Sequence, residues 1–377
     1  MDMFRAFADL TYGSPRYQIG DFSVDQKELI SEGGYAYVYR AVETTTSQEF
    51  ALKKILCQNQ ERLGFAQREV QVMQTLPSHP NIVRFYGASS VTENNIQVVL
   101  ILMELCKGGT LINLLERYEG QLNLEQVLFC LKEICQGIQV VHQAGYVHRD
   151  LKVENVLVEN KKFKLCDFGS CSNEHLDLAS ASRKDLLFHE ETFERQTTLM
   201  YRPPEMIDLY TRHTIGPKVD VWMLGCIAYT LAYFKHPFQD QSSLAIVNAH
   251  YTFPSDSRFN QKFKNFVAWI LNPDPSERPL LSQVIESVNN YHSIQDFQVK
   301  TNRHKPQEKK SSKDRDLTEE EIQAEMRRVR EGMQRNLHGE FVGVSKKKQP
   351  VSIWSVPGSQ QQDSDLLDFN NSGWANF

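Results

Sequence analysis

The stretch His148-Arg149-Asp150-Leu151-Lys152-Val153-Glu154-Asn155, followed by Asp167-Phe168-Gly169, decides how this chain is read. Phosphoryl transfer needs one carboxylate beside the incoming hydroxyl and separate oxygen ligands that hold magnesium on the nucleotide phosphates. Asp150 meets the first need, and Asn155 with Asp167 meets the second. Magnesium is a hard cation that takes oxygen ligands, so carboxylate and amide side chains suit it. The plain alternative is a chance pairing of two short motifs on a surface loop, which would have to match many positions in the right order.

This pattern resembles the protein kinase superfamily, whose signature reads H-R-D-L-x-x-x-N and then D-F-G. The resemblance implies an α+β, bilobal fold with a small β-rich lobe, a larger helical lobe and an ATP cleft between them. It also implies ATP and Mg2+ as cofactors.

Composition is compatible with that expectation. The chain has 377 residues, of which 41% are apolar, enough for a sizeable core, and its formal charge of -5 gives no general nucleic-acid footprint. Its seven cysteines are odd in number and form no CxxC pair, which fits free thiols in a reducing compartment. The N-terminal Met1-Asp2-Met3-Phe4 suggests neither a signal peptide nor a myristoylation site. The longest apolar stretch, Val98 to Met103, is of strand length, so a cytoplasmic protein without a membrane span is expected.

Outward from the motifs, residues 1–20 read as an N-terminal extension and 21–298 as the catalytic domain. Phe22 to Glu43 alternates apolar and polar positions around Gly33-Gly34 and predicts two strands; Phe50 to Lys53 continues as a third. Helical spacing runs over Phe65–Leu76 and Leu124–Ala144, with Gly145 as a C-cap, and the apolar run Asp220–Phe234 predicts a buried helix. Residues 299–316 are a charged linker. Residues 317–337 predict an amphipathic helix, with Thr318 and Glu321 as a capping box and Ile322, Met326, Val329, Met333 and Leu337 on one face. Residues 338–377 form a polar tail expected to be disordered.

The superfamily pattern assigns expected roles residue by residue. Ile30, Ser31, Glu32, Gly33, Gly34, Tyr35, Ala36 and Val38 form the phosphate-covering loop, with Ser31 and Ala36 in place of the first and third glycines of G-x-G-x-x-G-x-V. Alone, that loop reads equally as an ordinary glycine hairpin. Lys53 reaches the α- and β-phosphates and needs a carboxylate partner, for which Glu69 is the candidate and Glu61 the competitor. Met103 closes the back of the pocket, and Glu104 to Cys106 form the hinge against the adenine edge. Val38, Ala51 and Leu157 sandwich the ring, although plain core packing would place them similarly. Asp150 accepts or orients the substrate hydroxyl's proton, Lys152 stabilises the transferring phosphoryl group, and Asn155 and Asp167 hold the metal. Thr198 is expected to bond Asp150 and Lys152, Glu205 to pair with Arg278, and Asp220 to support the catalytic-loop backbone.

A narrower resemblance rests on Ser31 to Ala36, on Cys166-Asp167-Phe168-Gly169-Ser170, and on Met200-Tyr201-Arg202-Pro203-Pro204-Glu205-Met206-Ile207-Asp208-Leu209-Tyr210. With Ile215 to Lys218 and His236-Pro237-Phe238, these are similar to the Numb-associated kinase family, including the adaptor-associated and cyclin-G-associated kinases, over about residues 20 to 295. That resemblance implies a serine/threonine kinase of clathrin-adaptor subunits in vesicle traffic, with an extra helix after Glu205 that orders the activation segment. Arg149 is an expected seat for a phosphate on Ser180, Ser182, Thr192 or Thr197. In the tail, Leu366-Leu367-Asp368-Phe369 resembles a clathrin-box peptide, and Trp374 with Phe377 matches the W-x-x-F class that binds adaptor appendages. Two other readings remain open: a kinase of the same family acting on actin or division control, and a nucleotide-binding scaffold of weak activity.

Overall fold

The computed structural model describes residues 14–298 except positions 35, 240, 241, 256 and 257. The expected linker 299–316, helix 317–337 and tail 338–377 lie outside the described residues. Two-residue alternation builds the first lobe. Strands β1 (Arg16–Ile19), β2 (Phe22–Glu32), β3 (Ala36–Glu43), β4 (Glu49–Cys57), β5 (Phe85–Glu93) and β6 (Ile96–Glu104) form an antiparallel sheet in the order β1-β2-β3-β4-β6-β5. Successive side chains of a strand point to opposite faces. On β4 this sends Phe50 and Leu52 into one cluster with Ile19, Val24, Val98 and Leu100, while Ala51 packs with Ile101 and Met103 on the other face. Lys53 follows Ala51 by two, so it shares the second face, opposite Val38 on β3 and Ile101 on β6.

The sheet begins earlier than the boundary at residue 21. β1 pairs with β2 from Arg16↔Asp25 to Ile19↔Phe22, and Ile19 is fully buried. Tyr17 Oη accepts from Lys54 Nζ at 2.7 Å, and Lys54 also donates to Glu93 at 3.0 Å. The strand is therefore an integral edge of the sheet and no loose extension. Helix α1 (Gln60–Thr75), between β4 and β5, starts where Asn59 Oδ1 accepts from Arg62 N at 2.9 Å. Its buried residues Ala66, Glu69, Val72 and Met73 recur at helical spacing, which puts a carboxylate in the middle of an apolar stripe.

The second lobe is helical. It contains α2 (Leu111–Arg117), α3 (Leu124–Gln143), the hairpin β7 (Val156–Glu159) and β8 (Lys162–Leu165), α4 (Arg183–Gln196), α5 (Pro204–Ile207), α6 (Lys218–Tyr233), α7 (Ser243–Val247), α8 (Gln261–Ile270) and α9 (Leu281–Asn289). An all-round apolar helix must be buried, and every residue of α6 from Val219 to Tyr233 is. A side chain at Gly225 would stand 2.8 Å from Leu271, so only glycine lets α6 come this close to the end of α8. The result is the α+β, two-lobed arrangement expected from the sequence. Among the described residues no helix is long and apolar enough to cross a membrane.

The helix expected after Glu205 lies before it. Only the single turn α5 and a 3-10 turn at Leu209–Thr211 precede α6, whereas α4 occupies the segment upstream. Ser182 and Asp185 form a reciprocal capping box at its start, and Leu186 and Phe193, two turns apart, are its buried face.

Glu205 and Arg278 bind α5 to the base of the lobe. Arg278 Nη1 and Nη2 donate to Glu205 Oε1 and Oε2 at 2.6 and 2.9 Å, with both side chains at most 1% exposed. Arg278 also donates to the carbonyls of Asn272 and Lys218 and lies over the Trp222 ring. Leaving one buried charge uncompensated costs about 3–5 kcal/mol. Glu205→Ala is therefore expected to lower stability by about that amount in chemical denaturation, and a loss within experimental error would show that the pair contributes little.

Candidate active site

Asp220, on the first turn of α6 and fully buried, fixes the loop that carries the chemistry. Its Oδ2 accepts from His148 N at 2.9 Å and lies 2.8 Å from His142 Nε2, while Oδ1 accepts from Arg149 N at 2.9 Å. Burial alone would raise the carboxyl's pKa, but these donors hold it below the ordinary value. Arg149 adopts a left-handed backbone, φ 66°, sparsely populated by residues with a side chain. The two hydrogen bonds from backbone N–H groups to Asp220 hold the chain in that conformation and turn the next residue, Asp150, toward the cleft.

Asp150 sits in a compact network. Its Oδ2 accepts from Lys152 Nζ at 2.8 Å, and its Oδ1 accepts from the backbone N–H of Thr198 at 2.8 Å. Lys152 also donates to Thr198 Oγ1 at 2.9 Å, so Thr198 touches both partners, reaching Asp150 through its main chain. Asn155 Nδ2 donates to the carbonyl of Asp150 at 2.9 Å, which leaves its amide oxygen to face other ligands. Burial opposes the charge on Lys152, but Asp150 beside it raises its pKa overall.

Lys53 bridges two carboxylates. It donates to Glu69 Oε1 at 2.6 Å and to Asp167 Oδ1 at 2.9 Å. Burial would lower the ammonium's pKa, yet Asp167 and Glu69 outweigh it and push it upward; Lys53 in turn holds the Asp167 carboxyl well below the usual range. Glu61 is exposed and pairs with Arg195 at 2.8 Å, so among the two candidates Glu69 is the partner of Lys53. Asp167 also has a positive φ, 60°, and its side chain remains 46% exposed toward the cleft.

These groups border a cavity of about 380 Å³ between the lobes. Ile30, Ser31, Gly33, Gly34, Ala36 and Val38 line it from the β2–β3 hairpin, closed by a Gly33 N–H to Ala36 carbonyl bond of 2.7 Å. Ala51, Lys53, Glu69, Met103, Glu104 and Cys106 line its back and edge, and Asn155, Leu157 and Asp167 its floor. Glu32 is exposed at the end of β2 and is not part of the wall; Tyr35 lies outside the described residues. Asp150, Lys152 and Thr198 stand beside the cavity rather than in its lining. Motif matching missed Phe65, Glu154, Ser170, Arg195 and Gln196, which also line it.

The donor set fits a magnesium nucleotide. Val38, Ala51 and Leu157 offer apolar faces, the Glu104–Cys106 edge offers backbone groups, and Lys53 offers a positive charge where phosphates would lie. Among the described residues no cluster of three His, Cys, Asp or Glu side chains forms a metal cage. Magnesium is commonly held by one or two protein oxygens together with substrate phosphates, and Asn155 and Asp167 would supply such oxygens here.

At the seat expected for a regulatory phosphate, the Arg149 guanidinium is partly engaged, and its Nε is buried with no hydrogen-bond partner. Arg149 Nη2 donates to the Glu174 carbonyl at 2.7 Å, and its guanidinium lies 5.9 Å from the centre of the Phe193 ring on α4. Thr197 Oγ1 donates to the Phe193 carbonyl and accepts from Arg202, and Ser182 caps α4.

Comparison with known proteins agrees with this geometry. Residues 24–289 match the protein kinase domain. Two probable serine/threonine-protein kinases of Dictyostelium discoideum are 34% and 36% identical over 279 and 281 residues, which cover 72% of this chain and 25% and 34% of the relatives. The serine/threonine-protein kinase ppk30 of Schizosaccharomyces pombe is 36% identical over 281 residues, covering 72% of this chain and 29% of that protein. The chain spans about a quarter to a third of the length of these relatives. With its cleft, bridged lysine and clamped loop, the chain belongs to the protein kinase family, and its folded domain is that of a serine/threonine protein kinase.

Proposed function

We propose that this kinase transfers the γ-phosphate of ATP to threonine or serine in clathrin-adaptor subunits, and so regulates clathrin-mediated endocytosis and vesicle traffic. The observation that carries this reading is the run Met200 to Tyr210, with Cys166 to Ser170, which resembles the Numb-associated kinases. The tail peptides Leu366-Leu367-Asp368-Phe369 and Trp374 to Phe377 support it, as ligands for clathrin and an adaptor appendage. A cytoplasmic kinase held peripherally at coated membranes is the corresponding location.

The residues divide the work. Magnesium-bound ATP, when present, supplies the phosphoryl group and its leaving group. Lys53, steadied by Glu69, grips the α- and β-phosphates, and Asp167 with Asn155 supplies the oxygen ligands to the metal. Asp150 orients the acceptor hydroxyl and takes its proton. Lys152, 2.8 Å from Asp150, places a positive charge where the transferring group carries negative charge. Thr198 fixes both by its main-chain N–H and its hydroxyl.

Asp150→Asn keeps the shape and removes the proton acceptor, so phosphate transfer to a threonine-containing adaptor medium-chain peptide should fall by about 10²- to 10⁴-fold. A rate within threefold of wild type would remove Asp150 from the reaction, and transfer to a generic basic protein but not to the adaptor peptide would contradict the endocytic substrate. In pull-downs, the full chain should retain the clathrin terminal domain and adaptor appendage, whereas a chain ending at Gln360 should lose both. Equal recovery by the two chains would overturn the tail assignment.

A further inference from the structure

Gln196, the last residue of α4, lines the nucleotide cavity, and its amide nitrogen Nε2 is buried with no hydrogen-bond partner. The segment around it makes contacts on three sides. Its carbonyl accepts from Ser170 Oγ, just past Asp167-Phe168-Gly169. The preceding residue, Arg195, pairs with Glu61 on α1, and Thr198, two residues on, donates to Asp150. The carboxamide is thus carried by backbone bonded to Ser170 and Asp150, with a side-chain ion pair to α1 beside it.

A buried donor with nothing to bond is costly, and such groups in native proteins call for an explanation. Two carboxylates of the same cavity lining, Glu69 and Asp167, are both engaged by Lys53. What enters this end of the cleft in the kinase reaction is a chain of phosphate oxygens, which are acceptors only. An amide donor adds affinity there without the charge of another lysine, and it draws no carboxylate away from Lys53. We propose that Gln196 Nε2 donates to an oxygen of the nucleotide's terminal phosphate and helps hold that group toward Asp150. The inference rests on the kinase reading and assigns a nucleotide contact to a residue outside the superfamily motifs.

The test compares nucleotides that do and do not carry the third phosphate. Calorimetry of the full chain with Mg2+ would measure Kd for a β,γ-imido ATP analogue and for ADP, in wild type and in Gln196→Met, which keeps the length and removes the donor. The analogue's Kd should rise about tenfold, as for loss of a hydrogen bond to a charged group, while that of ADP stays within about twofold. Gln196→Asn, whose donor is one methylene short, should show the same selectivity and serves if the methionine variant does not fold. Equal weakening of both nucleotides, or no change in either, would overturn the contact while leaving the kinase reading intact. Wild-type protein that binds neither nucleotide would overturn that reading as well.

Discussion

The buried carboxylate of Asp220 is the constraint on which the rest of the site depends. A charge buried on the first turn of a largely apolar helix is expensive unless fully bonded, and here three donors meet it: His142, His148 N and Arg149 N. The same bonds hold the left-handed turn at Arg149, a conformation that persists only where its surroundings over-determine it. From that turn follow the direction of Asp150, the reach of Lys152 to Thr198 and the attachment of Asn155 to the loop carbonyl. One helix of the core thereby sets the geometry of a loop that has no regular structure except a 3-10 turn at Val153–Asn155.

The opposite wall is set by the sheet. Period-two alternation on β4 delivers Lys53 to the cleft, and period 3.6 on α1 delivers Glu69 to meet it. Helix α4 joins the walls: Arg195 reaches Glu61 on α1, Phe193 covers Arg149, and the Gln196 carbonyl receives Ser170. The activation segment is thus tied to the loop arginine by one carbonyl and one aromatic contact.

Much of the site was legible because its chemistry restricts residue type. Asp150, Lys152, Asn155, Asp167 and Lys53 stand in fixed order, and Glu69 could be chosen over Glu61 from the apolar spacing around it. The errors have physical causes. β1 is four residues long and ends at Ile19, too short for alternation to register, and its value comes from pairing with β2 and from Ile19 in the core. β5 went unpredicted because Gly87, Ser89 and Ser90 interrupt its apolar pattern; pairing with β6 supplies what propensity does not. α4 buries only Leu186 and Phe193 among charged neighbours, so its stripe was faint, although Ser182 and Asp185 carried a readable capping signal. Gln196 belongs to no motif, and its place in the cavity wall and its unpartnered Nε2 identify it.

The central claim is that Asp220 acts by shaping the catalytic loop and not by shaping the nucleotide cavity. Steady-state kinetics of Asp220→Asn, which preserves size and loses the charge, test it directly. The account predicts a kcat at least about tenfold lower, because a misplaced Asp150 is costly, with KM for ATP within about twofold of wild type. An unchanged kcat, or a loss confined to KM for ATP, would contradict it.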